Sequence, residues 1–206
     1  MSTNRHFLQQ ASQHLSHLDA DWAKLIETVG PCTFVAKPER EPYEALIRAL
    51  AYQQLHAKAG DAIIARLVNL HSNTFPSAQQ LLALTFDELR ACGFSARKID
   101  TIQGIANGTL SGLVPTRSEA DGMSDEALIT RLITLKGIGR WTVEMLLMFS
   151  LERMDILPAD DFGIAEGYKR FKNLAVAPKP KLIAELGNAW SPYRTVASWY
   201  LWRVPK

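Results

Sequence analysis

"LKGIGRWTVEML", residues 135–146, places two glycines, an arginine and a tryptophan where a turn runs into an apolar helix. Upstream, "SDEALITRLITL" (124–135) opens on Ser124 as a helix N-cap, with acids in the first turn. Together the two stretches predict a helix, a tight hairpin and a second helix, with Leu132, Leu135, Ile138 and Thr142 holding the spacing. Gly137 and Gly139 are expected to take backbone angles that residues with a Cβ resist. A helix that starts this way turns its first N–H groups outward, where they can hold a phosphate without any side chain. This chemistry would suit a clamp on a DNA backbone. The glycines alone would equally suit an ordinary αα-hairpin.

Composition sets bounds on that reading. The 206 residues leave room for one large domain or two small lobes with a sizeable core. Charge is nearly balanced, 23 basic against 21 acidic residues, so attraction for nucleic acid must come from a local field. Cys32 and Cys92 stand far apart, which excludes a four-thiolate zinc site or iron–sulfur cluster and fits a reducing interior. "MSTNRHFLQQASQHL" (1–15) holds no apolar targeting core, and no later run approaches a membrane span. The expectation is a soluble cytoplasmic protein, nucleoid-associated in a bacterial host, with no membrane partner.

Helical periodicity dominates the chain. "DWAKLIETVG" (21–30) puts Trp22, Leu25, Ile26 and Val29 on one stripe that Gly30-Pro31 ends. "CTFVA" (32–36) is the one strand-like run. Pro42 suits a first helical turn, Tyr43, Leu46, Ile47 and Leu50 form one stripe, and Ile63, Ile64, Leu67 and Leu70 form another. "YQQLH" (52–56) reads as a short polar elbow between those two helices. Further helices follow from 77 onward, one closed by Gly93 and one ended near Gly108, before the linker-like "SGLVPTRSEADGM" (111–123). The class is all-α, with nine or ten short helices.

"LPADDFGI" (157–164) sets two aspartates before another helix. On the residues alone both read as N-cap acids on a solvated turn. The stretch around them, "LITLKGIGRWTVEMLLMFSLERMDILPADDFGIAEGYKRF", resembles the helix–hairpin–helix DNA glycosylases, most closely the 3-methyladenine DNA glycosylase II branch. "ALAYQQLHAKAGDAI", "GFSARKIDTIQGIA" and "WSPYRTVASWYLWRV" carry the likeness further, in the family's order, over roughly residues 40–206.

The resemblance implies two helical lobes with a DNA cleft between them and a helix–hairpin–helix motif followed by a catalytic aspartate. One lobe is expected from about 1–39 plus 116–206 and the other from about 40–115. The form expected is the compact one, without the β-rich N-terminal domain of longer bacterial members. The function implied is removal of alkylated purines of the 3-methyladenine type from double-stranded DNA in base excision repair, by a monomer. A non-catalytic helix–hairpin–helix module that senses DNA structure is the rival reading.

The family pattern is an acid followed by two residues and an aliphatic. Asp161-Phe162-Gly163-Ile164 fits it, so the resemblance marks Asp161 as catalytic and leaves Asp160 as a neighbour that caps the helix. Cleavage of a glycosidic bond develops positive charge on the sugar, which a carboxylate stabilises. Strand-cutting relatives carry a lysine nucleophile where this chain has Trp141, and an indole forms no Schiff base, so simple hydrolysis is expected. Lys136 does not occupy that position.

A flipped base needs a pocket. Trp141 and Trp202 match wall residues, Met145 stands where bacterial members carry a tyrosine, and Phe162 and Tyr193 are further candidates. An aromatic wall also attracts a cationic alkylpurine. Gln54 and Leu55 match the plug that fills the gap left by the flipped base, with His56 at the minor groove, although Leu55 could also be a core residue. Gly137, Gly139, Arg140 and Thr142 are the expected backbone contacts, and Arg97 and Lys98 resemble a position near DNA. No cofactor is expected beyond a structural Na+ or K+ held by the carbonyls of Ile133, Leu135 and Ile138.

Overall fold

A computed structural model describes residues 2–205, and the side chains of residues 5–205. The described residues form helices with turns and extended segments between them, so the all-α expectation holds. In chain order they are α1 (Ser2–Ser16), α2 (Ala20–Val29), α3 (Pro42–Tyr52), α4 (Ala57–Asn69), α5 (Ala78–Ala83), α6 (Phe86–Cys92) and α7 (Ala96–Leu110). Then come α8 (Arg117–Asp121), α9 (Asp125–Leu132), α10 (Arg140–Phe149), α11 (Phe162–Phe171), α12 (Pro180–Leu186), a 3-10 turn (Gly187–Trp190) and α13 (Arg194–Leu201).

The helices outnumber the expected nine or ten because several are one or two turns long and offer little periodicity to read. The stretch read as a linker holds such a helix, α8, started by a capping box between Thr116 and Glu119. The strand-like run at 32–36 is extended but joins no sheet among the described residues. Its burial still alternates, with Phe34 and Ala36 inside and Val35 outside. Leu70, set on a stripe by the sequence, is exposed, and α7 ends at Leu110, close to the expected Gly108.

The chain divides into two compact units, Met1–Ala36 with Arg153–Lys206, and Lys37–Glu152. This corrects the expected boundary, since residues 116–152 belong with the middle of the chain. Packing explains the assignment, since α10 lies against α3, Gln53 Nε2 donates to the Thr142 hydroxyl at 2.7 Å, and Arg117 N–H donates to Glu41 at 2.8 Å.

In the middle unit α3 is apolar on nearly every side, from Tyr43 through Ala51, and α4, α7 and α10 pack around it. A helix buried all round must be sheathed by others, which is why four helices share this core. Each buried Leu or Ile there contributes roughly 1.5–3 kcal/mol relative to an exposed one. The other unit is held by aromatic rings, with Trp22 against Phe171 and Trp190 at centroid distances of 4.8 and 5.6 Å. Lys172 Nζ ties α11 to the start of α2, at 2.7 Å from both Asp19 and Asp21.

Residues 153–157, which lead toward Asp161, are stitched to the start of α13. Arg194 Nε and Nη2 each donate to Asp155 at 2.8 Å, and Ser191 Oγ donates to it at 2.9 Å. Thr195 adds three bonds, from its N–H to Met154 O, from its hydroxyl to Arg153 O, and from Ile156 N–H to that hydroxyl. Burial opposes ionisation of Asp155, but the Arg194 and Ser191 hydrogen bonds outweigh it and hold the carboxyl below its usual 3.8. The unfolded chain therefore binds this proton more tightly, so the clamp's stabilisation is complete above about pH 4 and fades as pH falls further. In urea titrations between about pH 5 and 3, Asp155→Asn should lose less stability than the wild type. Equal losses would show that the clamp has no part in acid sensitivity.

Candidate active site and nucleic-acid interface

Asp161 is the N-cap of α11, and its Oδ1 accepts the Ile164 N–H at 2.8 Å. This gives the acid-x-x-aliphatic spacing a physical basis, because an N-cap side chain reaches the amide three residues on. The same Oδ1 accepts the indole Nε1–H of Trp202 at 2.8 Å. Asp160 is exposed, so the capping role expected of it falls to Asp161 itself.

The indole reaches this carboxylate because α11 is flat on one side. A Cβ on Gly167 would lie 2.0 Å from the Leu201 carbonyl oxygen, and one on Gly163 would lie 2.9 Å from Trp202 Cδ1 and 3.0 Å from Asp161 Oδ1. Two glycines one turn apart thus seat the end of α13 against the first turn of α11. Phe162, between Asp161 and Gly163, is 80% exposed. Trp199, one turn before Trp202, is buried edge-on against Tyr200. Tyr193, offered above as a wall residue, instead packs against Phe7 and His14 of α1 at 5.3 and 5.1 Å.

In the middle unit the hairpin lies between α9 and α10, anchored by buried Leu135 and Ile138, with Ile133, Lys136, Gly137 and Gly139 exposed. Gly137 has φ +87°, and a Cβ there would stand 2.2 Å from Thr101 Oγ1 of α7. Glycine is therefore required at 137 on two counts. Gly139 departs from expectation, with an ordinary extended φ of −102°. Its role is openness, since nothing lies within 4 Å of where its Cβ would be and no side chain caps α10. The first-turn amides of α10 are thus unscreened by a cap.

Two residues expected to contact DNA have partners within the protein. Thr142 is buried, and its hydroxyl accepts from Gln53 Nε2 at 2.7 Å, so its side chain is not presented to a ligand. Arg140 is committed to carboxylates, with Nη2 2.5 Å from Glu126 and Nε 3.0 Å from buried Glu144. The Arg140 hydrogen bond in turn holds the Glu126 carboxyl below its usual range.

Most of α10 is buried, but Trp141, Met145 and Phe149 at i, i+4 and i+8 are only partly covered and form one apolar stripe. Gln54, Leu55 and His56 are all exposed at the elbow, and Leu55 at 43% is no core residue. The His56 ring caps α4 by accepting from Ala59 N–H at 3.3 Å. Lys98, placed near DNA by the sequence, turns inward to the elbow's carbonyls. Sequence reasoning missed the seat at Gly163 and Gly167, the Asp155–Arg194 clamp and the Gln53–Thr142 bond. Only the glycine pair at i, i+4 left a trace that could have been read.

The profile for HhH-GPD superfamily base excision DNA repair proteins matches residues 47–192. The chain belongs to the HhH-GPD superfamily. DNA-3-methyladenine glycosylase 1 of Schizosaccharomyces pombe is 48% identical over 203 residues, 97% of this chain and 88% of that protein. The solved structure of S. pombe 3-methyladenine DNA glycosylase (Mag1) in complex with abasic DNA aligns with a TM-score of 0.89 at 47% identity, covering 94% of this chain and 95% of that one. DNA-3-methyladenine glycosidase from Bacillus halodurans aligns with a TM-score of 0.78 at 33% identity, covering 94% and 88%. The HhH-GPD match takes in the elbow, the hairpin and Asp161 but stops short of Trp202, whose case rests on its bond to that carboxylate. Among the described residues no helix is long and apolar enough to cross a membrane, and no group of His, Cys, Asp and Glu could hold a metal ion.

Gly163→Ala tests the seat. Crowding of this order costs about 1–3 kcal/mol when the neighbour can yield, and here the indole is the group able to move. The variant should stay folded while the Trp202 indole N–H, identified in NMR spectra by its absence in Trp202→Phe, exchanges markedly faster with solvent. An unchanged indole signal would mean that Gly163 does not hold the pair together.

Proposed function

We propose that this protein is a monofunctional DNA glycosylase that hydrolyses the N-glycosidic bond of alkylated purines of the 3-methyladenine type. Membership of the HhH-GPD superfamily and near-half identity to a glycosylase over almost the whole chain make it a DNA glycosylase. The observation that carries the finer reading is the Asp161 carboxylate held at the start of α11 by Ile164 N–H and the Trp202 indole.

In the proposed reaction the C1′–N bond breaks and its electron pair goes to the base, cancelling the positive charge of the alkylated purine. Charge appears on the sugar instead, and the Asp161 carboxylate stabilises it. Water adds to C1′ and gives a proton to that carboxylate or to solvent, leaving an abasic site. The α10 stripe of Trp141 and Met145, and the rings of Trp202 and Phe162, are the proposed surfaces for the flipped base, where a cationic purine gains stacking and cation–π attraction. Gln54 and Leu55 are the proposed plug, and the amides around Gly137 and Gly139 the proposed phosphate contacts.

The protein is proposed to act as a monomer without a cofactor. A monovalent cation on the carbonyls of Ile133, Leu135 and Ile138 belongs to the same proposal. The Leu135 carbonyl accepts the Ile138 N–H at 3.0 Å, and a carbonyl's second lone pair can still meet an ion.

Incubation with methylated duplex DNA should release 3-methyladenine from wild type, and Asp161→Asn should lower the rate at least about a hundredfold while DNA binding survives. A variant that keeps most of its activity would remove the catalytic role from Asp161. Borohydride added during turnover should trap no covalent protein–DNA adduct, because an indole at 141 offers no amine. A trapped adduct would make the enzyme a lyase as well.

A further inference from the structure

Lys98 sits in the first turn of α7, the positive end of a helix dipole, where a lysine is disfavoured. Its Nζ leaves that turn and donates to the carbonyls of Gln53 at 2.9 Å and Ala51 at 3.3 Å. These carbonyls lie at the C-terminal end of α3, the negative end of its dipole, where no further helical turn supplies N–H partners. Burial, by removing water from the Lys98 ammonium, pushes it toward its neutral form.

The elbow that Lys98 grips is under constraint. Gln54 has φ +58°, a left-handed conformation that a residue with a Cβ adopts only when its surroundings enforce it. The enforcing contacts are on both sides. Before Gln54, the Gln53 amide donates to Thr142 Oγ1 at 2.7 Å, and Thr142 directly follows Trp141 on α10. The Tyr52 ring lies on Gly60, where a Cβ would come within 2.2 Å of it, and its hydroxyl donates to Asp61 at 2.5 Å. After Gln54, Leu55 N–H turns back to the Tyr52 carbonyl at 3.1 Å.

We propose that Lys98, Gln53 and Thr142 are positioning residues that hold the elbow in the one shape from which Gln54 and Leu55 can enter a duplex. The inference rests on the elbow being the wedge. It takes Lys98 out of the set of phosphate ligands and makes it the post on which the wedge stands. It also ties the wedge to the helix that carries Trp141.

The test uses a duplex with a tetrahydrofuran abasic analogue opposite 2-aminopurine, whose fluorescence rises when a side chain unstacks it. Wild type, Lys98→Met, Gln53→Met and Leu55→Ala are titrated at several salt concentrations, after thermal melts confirm that each is folded. Lys98→Met and Gln53→Met should bind with the wild-type dependence of log K on log[salt]. At saturation they should give less than half the wild-type rise, as Leu55→Ala does. A phosphate-binding lysine would behave oppositely, with a slope shallower by about 0.9 and a full rise at saturation. That result would overturn the proposal, and so would two variants indistinguishable from wild type. If wild type itself gives no rise at saturation, the elbow is not a wedge and the inference falls with it. Release of methylated bases by the same wild-type preparation shows separately whether the glycosylase reading stands.

Discussion

One oxygen of Asp161 sets the geometry of its unit. It accepts the Ile164 amide at the start of α11 and the Trp202 indole at the end of α13. The second bond is available only because Gly163 and Gly167 remove the side chains that would stand between the helices. The capping requirement and the close packing of α11 on α13 therefore converge on one carboxylate and fix its direction. An N-cap acid is usually explained by the helix it caps. Here the cap also receives an indole N–H, which a helix start does not need, and the Asp155–Arg194 clamp separately steadies the segment leading to it.

The middle unit applies a similar economy to its main chain. α7 serves as the back wall of the hairpin, with Thr101 filling the space that a side chain at Gly137 would need and Gly108 lying 3.1 Å, by its would-be Cβ, from the Leu135 side chain. α7 also supplies Lys98 to the elbow. The hairpin and the elbow are thus shaped by the same helix, and α10 meets them both through the hairpin it follows and through Thr142. Rigid elements that carry short constrained loops hold functional groups more accurately than long loops do.

What the sequence made legible follows from how local each signal is. The helix start at Ser124, the elbow read at 52–56 and the hairpin were legible because caps, glycines and stripes act over four residues or fewer. The acid could be placed at Asp161 over Asp160 by resemblance, and the cap geometry now supplies a physical reason for the spacing. Long-range pairings were out of reach. Nothing near residue 98 announces that its ammonium reaches residues 51 and 53, and nothing near Arg140 announces Glu126. Thr142 was read from its hairpin position, which is local, whereas its burial and its bond to Gln53 join residues far apart in the chain. The unit boundary was out of reach for the same reason, since the packing of α10 on α3 and the bond from Gln53 to Thr142 join residues far apart in the chain.

These pairings bear on how a chain of net charge +2 can meet DNA. Arg140 and Lys98, which the resemblance places near DNA, are engaged within the protein, Arg140 by Glu126 and Glu144 and Lys98 by carbonyls. A cation held by a carboxylate must exchange one anion for another to reach a phosphate, and little net energy remains for binding. Main-chain amides face no such competition. No side chain caps the start of α10, and the space beside Gly139 is open. Recognition through amides releases few counterions, so it depends weakly on salt compared with a lysine-rich surface. It also demands accurate placement, because an amide has neither the reach nor the charge of a lysine, and at Gly137 the main chain of the hairpin is packed directly against Thr101.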